Sequence, residues 1–344
     1  MIRILVATDA WYPQVNGVVH TLSEMARLAE PLGASLSFLT SEGLPTLPLP
    51  TYPDIRLALA TYGPIARRIE ALRPDAMHVA TEGPIGHFAR RYCLRQGFAF
   101  TTSFHTRFPE YLSARLPVPE GWTWAWLRRF HNAGAGVMAA TPALRAELAA
   151  RGFRNVMLWS RGVDADLFRP RRDADLGLPR PVFLSVGRLA VEKNLEAFLS
   201  LDLPGSKVVV GEGPARSDLE RRFPDAVFLG AKQGEELARI FAAGDVFVFP
   251  SRTDTFGLVL LEALASGVPV AAYPVTGPRD VIGDAAVGAL DTDLGAACRR
   301  ALMLSREACR KFALAMTWEH STRAFIANVT RYALMPATPA IINA

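Results

Sequence analysis

Two carboxylates, Asp254 and Glu262, stand with seven residues between them in GDVFVFPSRTDTFGLVLLEALASGVPV, residues 244–270. The segment reads as an apolar strand (Val246–Phe249), a polar turn (Pro250–Thr255), a helix opening near Phe256–Gly257, and a second strand (Val268–Ala272). At about 1.5 Å rise per residue, Glu262 lies about 9 Å along the axis from the helix start. The unbonded N–H groups of that helix end favour an anion. An extended ligand with a central diphosphate would meet one carboxylate at its sugar and the other at its ribose. This is the outline of a nucleotide-sugar site.

Other residues fit the same chemistry. Ser185-Val186-Gly187-Arg188 ends an apolar strand, and Lys193 follows in RLAVEKN. At the mouth of a parallel sheet, Arg188 offers a phosphate a bidentate fork and Lys193 a point charge; the plain alternative is two solvated cations in a loop. His105 follows another strand, in Ser103-Phe104-His105-Thr106, where it can bond a sugar hydroxyl or the reacting region. Gly17, in the turn after the first strand, allows close backbone approach to a ligand at a helix start. VVVGEGP (residues 208–214) lacks the third glycine of a dinucleotide fingerprint. The Asp-x-Asp pairs 164/166, 173/175 and 291/293 read as loop and cap acids rather than metal ligands.

The elements that must position these groups alternate between strand and helix along the whole chain. Candidate strands in the first half are Ile2–Thr8, Ser35–Leu39, Ala76–Val79, Ala99–Ser103 and Gly136–Ala140, with helical stretches at Val18–Glu30, Pro64–Leu72, Ile85–Gln96 and Pro142–Arg151. Residues 169–181, rich in Pro, Arg, Asp and Gly, read as a linker. A second series follows: Val182–Val186, Lys207–Val210, Ala226–Leu229, Val246–Phe249 and Val268–Ala272. Such βαβ alternation requires parallel sheets covered on both faces, and a chain of 344 residues suits two of them. Two Rossmann-like domains in tandem would bind ligands at the carboxyl ends of their strands. The expected domains are 1–168 and 169–317, with a terminal helix at 318–334 packing back on the first.

Composition narrows the partners. The net charge of +5 lies entirely in residues 1–165, which hold 17 Arg, no Lys and 12 acids. That asymmetry points to an anionic surface, with chance and Arg-rich codon usage as the alternative. Within the same half, Trp122, Trp124 and Trp126 precede Arg128 and Arg129, a density of Trp and Arg that suits a membrane interface. The alternative is a core helix with an aromatic stripe. No apolar run approaches the roughly 18 residues of a membrane span, and no signal peptide is recognisable. Cys93, Cys298 and Cys309 are odd in number and widely spaced, which indicates neither a disulfide framework nor a zinc site. A reducing cytoplasm is the expected compartment.

With these residues in view, the chain resembles a retaining glycosyltransferase of family 4, with the GT-B fold. The likeness rests on the Gly17 loop, FHTRFPEY (104–111), RGVDADLF (161–168), SVGRLAVEKN (185–194), VVVGEGP and TFGLVLLEALASGVPV (255–270). Among subgroups it is most similar to bacterial diacylglycerol glucosyl-, glucuronosyl- and sulfoquinovosyltransferases. The resemblance implies two Rossmann-like domains whose parallel sheets face each other across a central cleft. It implies that Gly17 lies against the donor, that Arg188 and Lys193 neutralise the diphosphate without a metal or other cofactor, and that His105 helps position the reaction. The family's two acids fall on Asp254, usually Glu, and on Glu262, which binds ribose. Backbone groups of Gly257, Leu258 and Val259 would hold phosphate, and Gly230 to Lys232 would border the base. The implied partners are a nucleotide-sugar donor, UDP in preference to GDP-mannose, and a lipid acceptor at an anionic membrane surface, reached from the cytoplasm by a peripheral protein, with a soluble sugar or polysaccharide precursor as the alternative acceptor. A monomer or weak dimer that binds no nucleic acid is expected. Competing classes are a phosphorylase, which would need a pyridoxal-bearing lysine among Lys193, Lys207, Lys232 and Lys311, and a two-domain sugar- or nucleotide-binding protein.

Overall fold

A computed structural model describes residues 1–14, 16–49, 52–105, 119–252 and 256–333. The chain divides into two compact units: Met1–Ser160 with the segment that begins at Trp318, and Arg161–Thr317. The division falls at Ser160/Arg161, eight residues before the boundary read from the linker composition. Residues 169–181 lie inside the second unit, held there by Arg171 on Glu235 and Arg180 on Asp245.

The first unit is built on strands β1 (Ile2–Ala7), β2 (Ala34–Leu39), β5 (Ala76–Val79), β6 (Phe100–Ser103), β7 (Gly136–Ala139) and β8 (Val156–Leu158). All pair in parallel, in the order β2-β1-β5-β6-β7-β8. From Ile4 to Ala7, β1 is apolar without alternation because both its faces are covered. Ile4 and Val6 pack with Leu22, Met25, Phe325 and Val329, while Leu5 and Ala7 face Ile65, Ile69 and Ile85 on the other side. The helix Trp318–Thr330 thus supplies Phe325 and Val329 to the core of the unit that the chain began. A short antiparallel pair, β3 (Thr46–Leu49) with β4 (Tyr52–Ala58), was not legible from sequence, since its prolines weaken any strand pattern.

The second unit repeats the plan with β9 (Val182–Val186), β10 (Ser206–Val210), β11 (Val227–Phe228), β12 (Val246–Phe249), β13 (Val270–Ala272) and β14 (Gly288–Leu290). Its parallel order is β11-β10-β9-β12-β13-β14, the doubly wound arrangement in which the strand order reverses between β9 and β12. Phe183, Val209, Val246, Val248 and Ala271 join one face of this sheet to Phe198, Leu294 and Ala297.

The three Asp-x-Asp pairs have structural roles. Asp164 accepts the amides of residues 166 and 167, Asp173 pairs with Arg239, Asp175 accepts the Gly177 amide, Asp291 pairs with Arg300, and Asp293 caps the helix Leu294–Ala301. The three cysteines are buried free thiols.

Candidate active site

The reversal between β9 and β12 opens a crevice at the carboxyl ends of those two strands, where doubly wound sheets bind ligands. Residues singled out from sequence stand on both sides of it. Arg188 lies two residues past β9, and Gly257 begins a helix beyond β12.

Three loops on the β9 side are laced together through their backbones. The Gly187 amide donates to Val210 O (2.9 Å), Leu189 to Glu212 O (2.9 Å), Ala215 to Leu189 O (3.0 Å) and Gly211 to Gly230 O (2.8 Å). A Cβ on Gly211 would stand 1.9 Å from Gly187 O. The glycines of VVVGEGP therefore serve the close passage of the Gly187–Leu189 backbone, a role that spacing alone does not reveal. Gly230 closes this lacing, and the Lys232 ammonium pairs with Glu236.

Lys193 ends a 3-10 turn, Val191–Lys193, and both it and Arg188 are half-buried. Asn194 next to it adopts the left-handed conformation (φ 53°) and its Nδ2 donates to Pro250 O at 3.1 Å. Ser251 Oγ donates to Glu192 O at 3.4 Å. The loop bearing Lys193 is thereby tied to the loop that leaves β12. Neither Asn194 nor Ser251 was anticipated; an Asn after a short polar turn is the one local signal, since Asn tolerates this backbone region. Asp254, with Thr253 and Thr255, lies outside the described residues.

The helix Leu258–Ala265 starts from Gly257, at φ 83°, which has no side chain to bond the first amides. The Leu258 and Val259 N–H groups thus face outward from an electropositive helix end. Four residues beyond Leu258, Glu262 is half-buried on a helix whose Leu260, Leu261, Ala263, Leu264 and Ala265 are all buried. Burial pushes its carboxyl up to about 7. Its side chain has no hydrogen-bond or ion-pair partner among the described residues, so a ligand's hydroxyl pair would find its acceptors available.

In the first unit, β6 carries a polar run, Thr101-Thr102-Ser103, that is fully buried. Alternation sends its hydroxyls to opposite faces, and a histidine meets each set. His78 sits between Thr101 Oγ1 (2.9 Å) and Ser103 Oγ (2.8 Å), while His131 bonds Thr102 Oγ1 (2.8 Å) and Glu82 Oε1 (3.1 Å). These bonds fix the strand end from which His105 projects, half-buried with its ring 5.7 Å from that of Trp159. At the strand ends between β1 and β5, the counterpart of the β9/β12 crevice, a carboxylate of the chain itself engages the helix start. Asp9 accepts from Thr81 Oγ1 (2.8 Å) and the amides of Ile85 (2.9 Å) and Gly86 (3.3 Å), at the start of the helix Pro84–Gln96. Burial raises the pKa of this carboxyl, and the backbone bonds oppose that.

Gly17 is the first residue of the helix Gly17–Ala29, but Asn16 Oδ1 already accepts the Val18 and Val19 amides at 3.0 Å. Those two donors are therefore engaged by the protein, and what Gly17 still offers is its small backbone. The tryptophans also separate. In the helix Glu120–His131, Trp122 and Trp126 are 75% and 43% exposed, whereas Trp124 is 6% exposed. Trp124 stacks on Phe104 at 5.8 Å and donates Nε1 to Glu120, which corrects its placement on an acceptor-side surface. Trp122, Ala125, Trp126 and Arg129 share the outward face, as helical spacing requires, and Arg128 is exposed beside them with Nη1 on Arg151 O.

Residues 15–167 match the model for Glycosyltransferase Family 4, and residues 180–304 that for Glycosyl transferases group 1. A GDP-mannose-dependent alpha-mannosyltransferase of Mycobacterium tuberculosis is 32% identical over 82% of this chain and 81% of its own. The sulfoquinovosyl transferase SQD2 of Arabidopsis thaliana is 32% identical over 79% of this chain and 59% of its own. Among solved structures, a sucrose-phosphate synthase from Thermosynechococcus elongatus superposes with a TM-score of 0.76 at 19% identity, over 96% of this chain and 98% of that one. The two parallel Rossmann-like sheets are those of the GT-B fold, and the chain belongs to the family 4 glycosyltransferases.

Proposed function

We propose that this glycosyltransferase moves a hexosyl group from a UDP-sugar to a hydroxyl of a membrane lipid such as diacylglycerol, with retention at the anomeric carbon. The donor half is supported by the strand order, which sets the elements bearing Arg188 and Lys193 and the helix of Leu258, Val259 and Glu262 on the two sides of one β9/β12 crevice. Diphosphate departure builds negative charge, and two cations with an electropositive helix end stabilise it electrostatically. Those cations supply the charge that a divalent metal supplies elsewhere, so turnover is expected to persist in EDTA. Glu262 accepts the ribose hydroxyls. Attack on the same face of the sugar, with the leaving phosphate taking the acceptor's proton, accounts for retention without a protein nucleophile. His105 and Asp254 are assigned to positioning the donor sugar.

The acceptor half rests on the exposed face Trp122–Trp126–Arg129 in the arginine-rich first unit. Trp at a bilayer interface with Arg beside it is suited to an anionic surface. Among the described residues no helix is long and apolar enough to cross a membrane. A GDP-mannose donor is the second reading, favoured by the name of the mycobacterial relative.

The test offers labelled UDP-glucose, UDP-glucuronic acid and GDP-mannose with diacylglycerol-containing anionic vesicles, and separates lipid from aqueous products. Label in the lipid fraction from a UDP-sugar supports the proposal. Label only from GDP-mannose favours the second reading, and label confined to water-soluble products contradicts the lipid acceptor.

A further inference from the structure

A second concentration of positive charge lies at the opposite edge of the second sheet. Arg180 directly precedes β9's leading Pro181, and Asp245 directly precedes β12, so both stand at the amino ends of the strands whose carboxyl ends carry Arg188 and Gly257. Together with Arg171, Arg172 and Arg306 they line a cavity of about 440 Å³. That is within the size range of small-ligand pockets, and larger than a lone phosphate needs.

Part of each guanidinium's work is structural. Arg180 donates to Asp245 Oδ1 (2.6 Å) and Ala243 O (3.2 Å), and Arg306 to Gly244 O (2.7 Å) and Ala242 O (3.0 Å), closing the end of the helix Gly234–Ala243. Arg171 grips Glu235 through Nη1 (2.6 Å) and Nη2 (2.9 Å), and Leu167 O through Nη2 (3.0 Å). Two features exceed this role. The Arg171 side chain is 10% exposed, yet its Nε is buried with no hydrogen-bond partner. Arg172 is exposed and makes no hydrogen bond or ion pair among the described residues. With the Arg239–Asp173 pair beside them, five guanidiniums face three carboxylates, Asp245, Glu235 and Asp173, which leaves excess positive charge around the cavity. Asp245 has both oxygens engaged, the second by the Val182 amide at 2.7 Å, and presents no competing acceptor. Burial lowers the pKa of Arg306, and the Asp245 carboxylate opposes that lowering.

We infer that this cavity is a second anion site, separate from the donor crevice, that binds a diphosphate or phosphate-ester group of a small soluble molecule directly on Arg172, with Arg171, Arg180 and Arg306 contributing positive charge around it. A guanidinium fork matches phosphate oxygens in pairs, and Arg172 is the one whose fork is not engaged among the described residues.

Calorimetric titration with inorganic pyrophosphate at fixed ionic strength tests it. The background is Arg188→Ala/Lys193→Ala, which weakens the donor crevice. In that background we expect one remaining site, and addition of Arg172→Ala should weaken it at least tenfold. Arg323→Ala, an exposed arginine of the other unit paired with Glu319, should leave it unchanged. Arg172 is exposed, so its loss spares the fold, and a thermal melt verifies this. Loss of all pyrophosphate binding in the background protein, or binding indifferent to Arg172→Ala, overturns the inference.

Discussion

The Asn194 side-chain amide donates to the carbonyl of Pro250 across 3.1 Å, and this bond joins residues 56 apart in sequence. It fixes the turn carrying Lys193 against the end of β12, from which the chain runs on toward the helix of Glu262. The donor crevice is thus a pair of loops held at a set separation rather than two independent ones.

Removing that tie should be felt first by the donor. Asn194→Ala loses a hydrogen bond worth about 1 kcal/mol, equivalent to roughly a fivefold rise in donor KM. Asn194→Gly keeps the left-handed backbone and should show the same rise, which separates the bond from backbone strain. Steady-state kinetics check this; an unchanged donor KM in both variants would remove the role assigned to Asn194.

Glu262 predicts a pH dependence in two readouts. Its ordinary pKa of 4.5 is raised in the folded chain to about 7, so the folded state keeps its proton longer than the unfolded one. Its contribution to stability is therefore complete below the unfolded value, falls as pH rises from 4.5 to about 7, and is constant above. Glu262→Gln should gain stability relative to the parent across that window, by about 1–3 kcal/mol after allowance for a half-buried group. Nucleotide affinity should move the other way. It rises through pH 7 in the parent as the carboxylate forms, and is flat in Glu262→Gln. Thermal melts and titrations from pH 5 to 8 read both.

Gly211→Ala places a Cβ against the Gly187 carbonyl, where backbone cannot yield cheaply. We expect a loss of about 2–4 kcal/mol, seen as a large fall in Tm. Gly177→Ala, where the added atom meets nothing within 4 Å but φ is 66°, should cost only about 1 kcal/mol. Equal effects of the two would contradict the close-passage account of VVVGEGP.

The tryptophans of residues 122–126 divide by burial. Trp122→Ala with Trp126→Ala should reduce sedimentation with anionic vesicles several-fold while Tm changes little. Trp124→Ala should instead cost about 3–5 kcal/mol of stability. Vesicle binding unaffected by the double change would remove this face from the proposal.

The buried parallel strands were legible because both faces are covered: Val182–Val186 and Val246–Phe249 have the bounds read from their apolar runs. β8 and β14 were not, being three-residue edge strands, one of them Gly-Ala-Leu. Arg188, Lys193, Gly257 and Glu262 were legible because each follows or rides an element with a strong pattern, and the sheet order brings those elements together. Asn194 on Pro250, Glu82 on His131 and Asp9 on Ile85 were not, because each bond spans 49 or more residues and no local period encodes it. Trp124 shows a smaller lapse: helical spacing alone sets it off the Trp122–Trp126 face.

In the proposed mechanism the donor's diphosphate rests at the carboxyl ends of β9 and β12. A crystal structure with UDP bound tests it most directly. The diphosphate is expected on Arg188, Lys193 and the Leu258–Val259 amides, with the ribose hydroxyls on Glu262. UDP bound elsewhere, with Glu262 and Arg188 untouched, would contradict it.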